Sequence, residues 1–572
     1  MNTKKSATLR FFTLVILLSV YSICIGFIYS TYIPEIYAWG DEYSVIAGSK
    51  DSILTWFSDG YSNYFNVYPE FFSPYTDFIR PVANLIYRIF GGALNVQLLV
   101  VNYGFLIVLS ACIFIASVKL GNDTITACLA SAVCFFAPAF WASPAPIHPA
   151  FAFDLIAALL CCVAWFFLLS ERWFSALGFI TVALLTKETA FPCLIALVFL
   201  HFLLKKPGAA FLSLMIVAAW FVLRYISFGS FDGTYKTGMV DGFTLAVNIV
   251  KLSPFLAIPI ESPGTFIRLM LAGDASITNL IILLLNLTII CLLTAAVADR
   301  CKSKNFSFFS FKLFLPKVRA ASFTIQTYTL LAAIFSAGFL VLFDLEVRFY
   351  FIFFVFFLLN VLMLKDTRIK MLTLFSMLFG GLLLFSSTMN DLKKNYNMNE
   401  FKFTKSRELV DFLRGLPAAE KSERICVVND FINGYSSTAS LARAKDISLD
   451  LWRCNSLEIE SCSLSELTEI RVTERQGSVH VFLPSCASFK FYGVGDAMLM
   501  KNLDGNQLAR NAEINYIFPE ISLEKPMNSG QVRIKSFGTT LGMNLREKVR
   551  FIYHDFQENE WKISRVPAIR VH

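Results

Sequence analysis

The sequence predicts a multi-span α-helical membrane protein of about eleven spans that ends in a C-terminal α+β domain outside the hydrocarbon. Three observations carry this reading. Apolar residues make up 56% of the 572 and charged residues only 16%, with a mean hydropathy of +0.59, which is more apolar surface than a soluble globule can bury. The apolar runs recur at lengths near the roughly 20 residues that a helix needs to cross about 30 Å of hydrocarbon. Beyond about residue 388 the chain turns polar, and alternating stretches such as Arg424 to Val428 and Ser478 to Leu483 predict strands.

The elements follow in order. The first span, Phe11 to Ser30, comes after a tail carrying Lys4, Lys5 and Arg10. Its apolar core is too long for a secretory signal peptide, and no small-residue cleavage pattern follows it. Further runs lie near 97–118, 124–141, 149–169, 173–186, 189–204, 209–226, 277–298, 321–343, 349–364 and 371–388. With the N-terminus inside, Lys119, Arg172, Lys205 and Lys206, the run Arg300 to Arg319, and Lys365 to Lys370 all fall on the cytoplasmic side, as the positive-inside rule requires. The net charge of +8 therefore reports topology and gives no reason to expect a nucleic-acid partner. The agreement among the loops requires that Phe243 to Ile260 does not cross. Lys251, Ser253 and Pro254 interrupt that stretch, which reads as an interfacial or re-entrant helix.

This places residues 1–388 in a transmembrane domain and 389–572 in a soluble domain on the opposite, extracytoplasmic side. Cys426, Cys454, Cys462 and Cys486 lie in that domain, where an oxidising compartment permits disulfides. Four cysteines allow three pairings, of which Cys454 with Cys462 is the nearest in sequence. The remaining cysteines lie in or beside spans and read as small apolar fillers.

Chemistry-bearing residues gather on the side away from the basic loops. Trp39-Gly40-Asp41-Glu42-Tyr43 follows the first span by about ten residues. Asp154, in His148-Pro149-Ala150-Phe151-Ala152-Phe153-Asp154, lies a turn or two inside a span. An acid at mid-bilayer costs about 2.5–3.5 kcal/mol on insertion scales and less near the ends, so Asp154 needs a partner or a role. Basic residues share that face: Arg80 in Phe78-Ile79-Arg80-Pro81, Lys187 in Thr186-Lys187-Glu188-Thr189, Arg224 in Leu223-Arg224-Tyr225 and Arg348 in Val347-Arg348-Phe349-Tyr350. Each has a local alternative, such as snorkelling to the interface or pairing Lys187 with Glu188 and Arg348 with Glu346. Taken together they describe a cavity at the outer membrane surface, acidic in one part and basic in another.

The order of these motifs along residues 1–390 resembles the GT-C superfamily of lipid-linked-sugar glycosyltransferases, closest to the branch of protein O-mannosyltransferases. They run from Asp-Glu after the first span through Arg-Pro before Gly91-Gly92, the Asp154 span, Lys-Glu-Thr-Ala and Leu-Arg-Tyr to Arg-Phe-Tyr. The resemblance implies that Asp41 is the catalytic base with Glu42 its companion, and that Asp154 helps to hold the acceptor or a metal. It also implies that Arg80, Lys187, Arg224 and Arg348 bind the lipid phosphate. His148, in the loop before Asp154, and Glu188, beside Lys187, join the candidate set.

Chemically the assignment is economical. A sugar on a phosphate already carries a good leaving group, so the proton-donating acid of glycosidases is unnecessary. One base and a cationic clamp suffice, and direct displacement inverts the anomeric centre. No cofactor is required, although a divalent ion between Asp41 and Asp154 stays open. The expected partners are a polyprenyl-phosphate sugar, an acceptor hydroxyl on an envelope glycan, lipid or protein, and membrane lipid. The expected location is a bacterial inner membrane with the C-terminal domain in the periplasm. Two rivals remain: a polysaccharide polymerase or ligase using polyprenyl-diphosphate glycans, and a non-enzymatic transporter or binding protein.

Overall fold

The computed structural model describes residues 2–33, 82, 85, 89, 98–143, 146, 152–228, 246–249, 255, 257–260, 263–272, 276–302, 320–343 and 347–417. Beyond these it describes 424–427, 450–451, 455–458, 462–475, 478–484, 486, 488–492, 498–502, 507–510, 513–514, 531–535, 541–545, 549–564 and 568–571. The chain divides into two compact units, and the later boundary falls between Lys393 and Lys394.

The first unit is helical. Its principal helices are α1 (Asn2–Tyr32), α2 (Phe105–Lys119, entered through a π-helical stretch Leu98–Gly104), α3 (Thr124–Phe135), α4 (Pro138–Trp141), α5 (Phe153–Leu169), α6 (Trp173–Thr186) and α7 (Phe191–Leu203). Then come α8 (Pro207–Phe228), α9 (Pro263–Ala272), α10 (Ile277–Lys302), α11 (Ala320–Phe343), α12 (Phe351–Leu362) and α13 (Thr367–Gly415). Among the described residues six segments are long and apolar enough to cross a membrane: Ala7–Tyr32, Leu98–Lys119, Thr124–Trp141, Ile277–Ala295, Thr324–Leu342 and Thr367–Met398. The protein is thus a helical membrane protein.

The other five expected spans form shorter apolar helices, Phe153–Leu169, Trp173–Thr186, Glu188–Leu203, Pro207–Leu223 and Phe351–Leu362. At 1.5 Å per residue these cover about 18–25 Å, less than the full hydrocarbon. Sharp stops end two of them, α5 and α7. Arg172 donates its backbone N–H to Phe167 O and Glu171 to Leu168 O, with Glu171 at φ 59°; Lys206 to His201 O and Lys205 to Phe202 O repeat the arrangement, with Lys205 at φ 56°. Gly121, at φ 85°, does the same after α2, where Asn122 donates to Ser117 O. In each case a left-handed residue turns the chain back and satisfies the last carbonyls of the helix. All three turns lie beside a basic residue predicted for the cytoplasmic side.

Helix α5 is the hub, packing against α2, α6, α11 and α12. Leu155, Ala157, Ala158, Cys161, Cys162, Ala164, Trp165 and Leu168 have no exposed surface, the pattern of a helix enclosed by others. The Trp165 indole donates to Thr329 Oγ1 at 2.9 Å, and Asn360 Nδ2 donates to Thr329 O at 3.1 Å, so one residue of α11 ties α5 to α12.

The expected helix over Phe243 to Ile260 is not continuous. Residues 246–249 are helical, Phe255 lies in a 3₁₀ turn and 257–260 are non-helical. Pro259 explains the last part, since its ring bars Ile258 from the α conformation and it has no N–H to donate.

Among the described residues the second unit contains the end of α13 and fourteen strands, β1 to β14, in three sheets. One sheet runs β13-β12-β1-β2, in which β1 (Arg424–Val427) pairs in parallel with both β2 (Asp450–Leu451) and β12 (Val549–Asp555), while β13 (Glu560–Ile563) closes a hairpin. The second runs β10-β6-β3, from β10 (Gln531–Lys535) through β6 (Ser488–Tyr492) to β3 (Asn455–Glu458). The third runs in the order β4 (Arg471–Arg475), β5 (Ser478–Phe482), β14 (Ala568–Val571), β11 (Leu541–Leu545), β7 (Met498–Asn502), β8 (Gln507–Arg510) and β9 (Glu513–Ile514). Lys405 of α13 is buried, donates to Glu408 Oε2 and to Asn559 Oδ1 at 2.7 Å each, and accepts at its carbonyl from the Trp561 indole at 3.2 Å. These bonds fasten the helix to the β12–β13 hairpin. A disulfide joins Cys462 to Cys486, which excludes the sequence-adjacent pairing of Cys454 with Cys462.

Candidate functional site

At the ends of α5, α6 and α12 away from the basic turns, three candidate residues come together with two that sequence reasoning had not singled out. Asp154 occupies the first turn of α5, where the positive end of the helix dipole favours a carboxylate. It is 2% exposed. Helix α6 stops at Lys187, whose backbone is extended at φ −157° and ψ 133°. A 3₁₀ turn, Glu188–Ala190, follows, and Pro192 then opens α7. This break turns the Lys-Glu-Thr segment toward the start of α5.

The Lys187 ammonium lies 3.9 Å from Asp154 Oδ2 and 3.3 Å from Glu188 Oε1, and is 4% exposed as a residue. Thr189 Oγ1 donates to Asp154 Oδ1 at 2.8 Å. On another side the ammonium sits 4.9 Å from the centroid of the Phe349 ring, within range of the attraction between a cation and an aromatic face. Asp154 thus has the partners that its depth in an apolar helix demands, and Lys187 is shared between two carboxylates and a ring. At 3.9 Å the Lys187 to Asp154 contact is a loose ion pair, longer than a hydrogen bond.

Phe349 belongs to the 3₁₀ turn Val347–Tyr350, which leads into α12 and packs against α4. Arg348 is its neighbour in that turn, and the backbone places the two together; the Arg348 side chain lies outside the described residues. Arg224 falls within α8, at the end nearer Phe228, and its side chain is likewise not described. Asp41, Glu42, Arg80 and His148 lie outside the described residues. Among the described residues no group of three or more His, Cys, Asp or Glu side chains stands ready to hold a metal ion.

An aromatic cluster braces this end of the unit. The Tyr103 hydroxyl donates to Pro146 O at 2.7 Å, Tyr103 packs against Phe140 and Trp141, and the Trp141 indole donates to Phe135 O at 2.7 Å. Phe140 reaches Phe351 at the start of α12. Tyr103, Phe140, Trp141 and Phe351 are nearly or wholly without exposed surface.

Thr189 and Phe349 were both visible in the motifs that carried Lys187 and Arg348. What could have singled out Thr189 was the need for Asp154 to find a donor, since a buried carboxylate accepts several hydrogen bonds. No periodicity marks Phe349, because its role depends on a long-range contact between the turn before α12 and the end of α6. Comparison with known proteins adds nothing to this geometry: no family model matches the chain, and no curated protein matches it.

Proposed function

We propose that this protein is a GT-C-type glycosyltransferase that moves one sugar from a polyprenyl phosphate to an acceptor hydroxyl, with inversion. In this reading all eleven apolar helices embed in a bacterial inner membrane, and the C-terminal unit lies in the periplasm. The observation that supports it is the meeting of Asp154, Lys187 and the Arg348–Phe349 turn at one end of the bundle, opposite the basic turns. Those residues come from three motifs separated by up to about 195 positions in the sequence, and a lipid phosphate arriving from the membrane needs cations at that border.

The chemistry is that of a direct displacement. The acceptor O–H gives its proton to the Asp41 carboxylate as its oxygen bonds to the anomeric carbon; the bond from that carbon to the phosphate oxygen breaks, and polyprenyl phosphate leaves with the electron pair. Lys187, with Arg348, Arg224 and Arg80, stabilises the charge growing on the phosphate. Asp154, held by Thr189 and Lys187, keeps Lys187 in place and faces the acceptor.

The test is transfer from a radiolabelled polyprenyl-phosphate sugar in membranes containing the full-length chain. Wild type is expected to transfer label, and Asp41→Asn to lose nearly all of it. Transfer retained by Asp41→Asn removes Asp41 as the base. Transfer from a polyprenyl diphosphate and not from the monophosphate replaces this reading with a polymerase or ligase.

A further inference from the structure

Asn286 lies in the middle of the candidate span Ile277–Ala295 and is 1% exposed. Its side chain does what a neighbouring strand would do. Ile258 N–H donates to Asn286 Oδ1 at 2.9 Å, and Asn286 Nδ2 donates to Ile258 O at 3.0 Å, with a further bond to Ile282 O of its own helix at 3.0 Å. Ile258 is non-helical, and Phe255, Ala257, Ile258 and Ile260 are all buried. On its other side Ile258 meets α13, where a Cβ on Gly380 would come within 2.5 Å of Ile258 Cδ1.

These contacts fix a depth. Asn286 is nine residues from Ile277, about 13 Å down the α10 axis, and Gly380 is thirteen residues from Thr367, about 20 Å along α13. Ile277 begins α10 away from its Arg300 and Lys302 end, whereas Thr367 begins α13 among Lys365, Arg368 and Lys370. The two helices are thus measured from opposite faces, and the distances sum to about the 30 Å thickness of the hydrocarbon. Nearby, Asn248 Nδ2 donates to Val341 O at 3.0 Å, and Val341 lies at the far end of α11 from its basic start. Asn248 therefore lies near the face opposite the basic turns and Ile258 at mid-depth, and the start of α10, after α9, lies at the first face again.

We propose that the described residues 246–249, 257–260 and 263–272 belong to a re-entrant hairpin that dips from the non-basic face to the centre of the bilayer and returns, with Asn286 as the clamp that makes its non-helical part at Ile258 tolerable there. Hydrocarbon holds no water to satisfy a free N–H or C=O, so irregular backbone persists at that depth only where protein groups take both. Asn286 takes both at Ile258. The neighbouring exposed residues of α10, Leu284 and Leu287, lie on the lipid side of the same helix, so the amide is confined to the protein side. The inference is independent of sugar transfer, and needs only that α10 and α13 cross.

Two measurements on the full chain test it. Short epitope insertions after Gly233 and after Gly273, made separately, are expected to be reached by antibody from the same side of sealed, oriented vesicles; access from opposite sides shows that the segment crosses and overturns the hairpin. For the clamp, thermal unfolding in detergent is compared for Asn286→Leu and for Thr288→Leu, a change on the exposed face of the same helix. Asn286→Leu is expected to lower Tm by several degrees or to lose the folded protein, with Thr288→Leu close to wild type. Equal Tm values for the two variants overturn the role given to Asn286.

Discussion

Thr189 Oγ1 and Asp154 Oδ1, thirty-five positions apart in the sequence, are joined by a hydrogen bond of 2.8 Å inside the helical unit. The bond crosses from the broken end of α6 to the first turn of α5, so it fixes the carboxylate and the Lys-Glu-Thr turn together. Removing the hydroxyl while keeping the shape, as in Thr189→Val, takes one hydrogen bond from a buried carboxylate, at a cost of about 1–3 kcal/mol. Thr189→Ser restores the donor and should recover most of the loss. Unfolding in detergent reads the difference, and a Val variant as stable as wild type would show that the bond contributes nothing.

Lys187 and Asp154 form a buried pair, and the two single changes should not add. Lys187→Met leaves Asp154 without its ammonium and should cost about 3 kcal/mol or more, as is usual when one partner of a buried pair is removed. Asp154→Asn in the same background should give part of it back, because the stranded charge is gone. The double-mutant cycle measures this coupling. If transfer activity is established, Lys187→Met should also raise KM for the polyprenyl-phosphate donor more than Asp154→Asn does, since only the former removes a cation.

Much of the helical unit was legible in the sequence because bilayer thickness imposes a length on apolar runs. The approach of Lys187 to Asp154 was half legible: an acid inside a span demands a partner, but periodicity does not say which of four cations supplies it. The contact of Lys187 with Phe349 was not legible, nor was the clamp at Asn286. Both depend on which helices become neighbours, and Asn286 in an apolar run looks like any tolerated polar residue. The Cys462–Cys486 bridge was open for the same reason, since strand register decides pairing and sequence distance does not.

Glu171 and Lys205 adopt left-handed backbone at the ends of α5 and α7, with φ of 59° and 56°. Such a conformation costs an ordinary side chain about 1–2 kcal/mol, and glycine almost nothing. Glu171→Gly and Lys205→Gly should therefore each stabilise the protein by up to about 1 kcal/mol, the gain being trimmed by glycine's freedom in the unfolded chain. A lower Tm for both would mean that the side chains at these turns contribute more than the backbone strain they impose.

His554 of β12 is fully buried, stacked edge-on to Phe556 and Trp561. Burial pushes its pKa down from 6.5 to about 4; the Lys405 ammonium adds to the effect, and the neighbouring Asp555 opposes it. Below pH 6.5 the unfolded chain takes up a proton that the folded unit refuses until about pH 4. The stability from neutral His554 is thus complete above pH 6.5 and is lost as the pH falls toward 4, by about 1–3 kcal/mol. Denaturation followed through tryptophan fluorescence should show this slope in wild type and a flatter one in His554→Phe. The Asp555 carboxylate, held low by Lys562 against its own burial, titrates below this window and leaves the comparison intact.

Gly380 and Gly381 are adjacent and yet face different neighbours. A Cβ on Gly381 would run into the backbone carbonyl of Phe136, where α3 ends before α4, whereas one on Gly380 would meet only the Ile258 side chain. Backbone at the end of α3 has little freedom to move, since the Trp141 indole is tied to Phe135 O and the Thr388 hydroxyl to Trp141 O. An isoleucine can turn to another rotamer at a cost of order 1 kcal/mol. Gly381→Ala should therefore lower Tm well below that of Gly380→Ala, with overpacking of about 1–3 kcal/mol or more. Gly380→Ala should in turn be rescued by Ile258→Val, which removes the methyl that the new Cβ would strike. If Gly380→Ala were the more damaging of the two, and Ile258→Val failed to relieve it, α13 would not pack against the tip of the 246–272 segment as described.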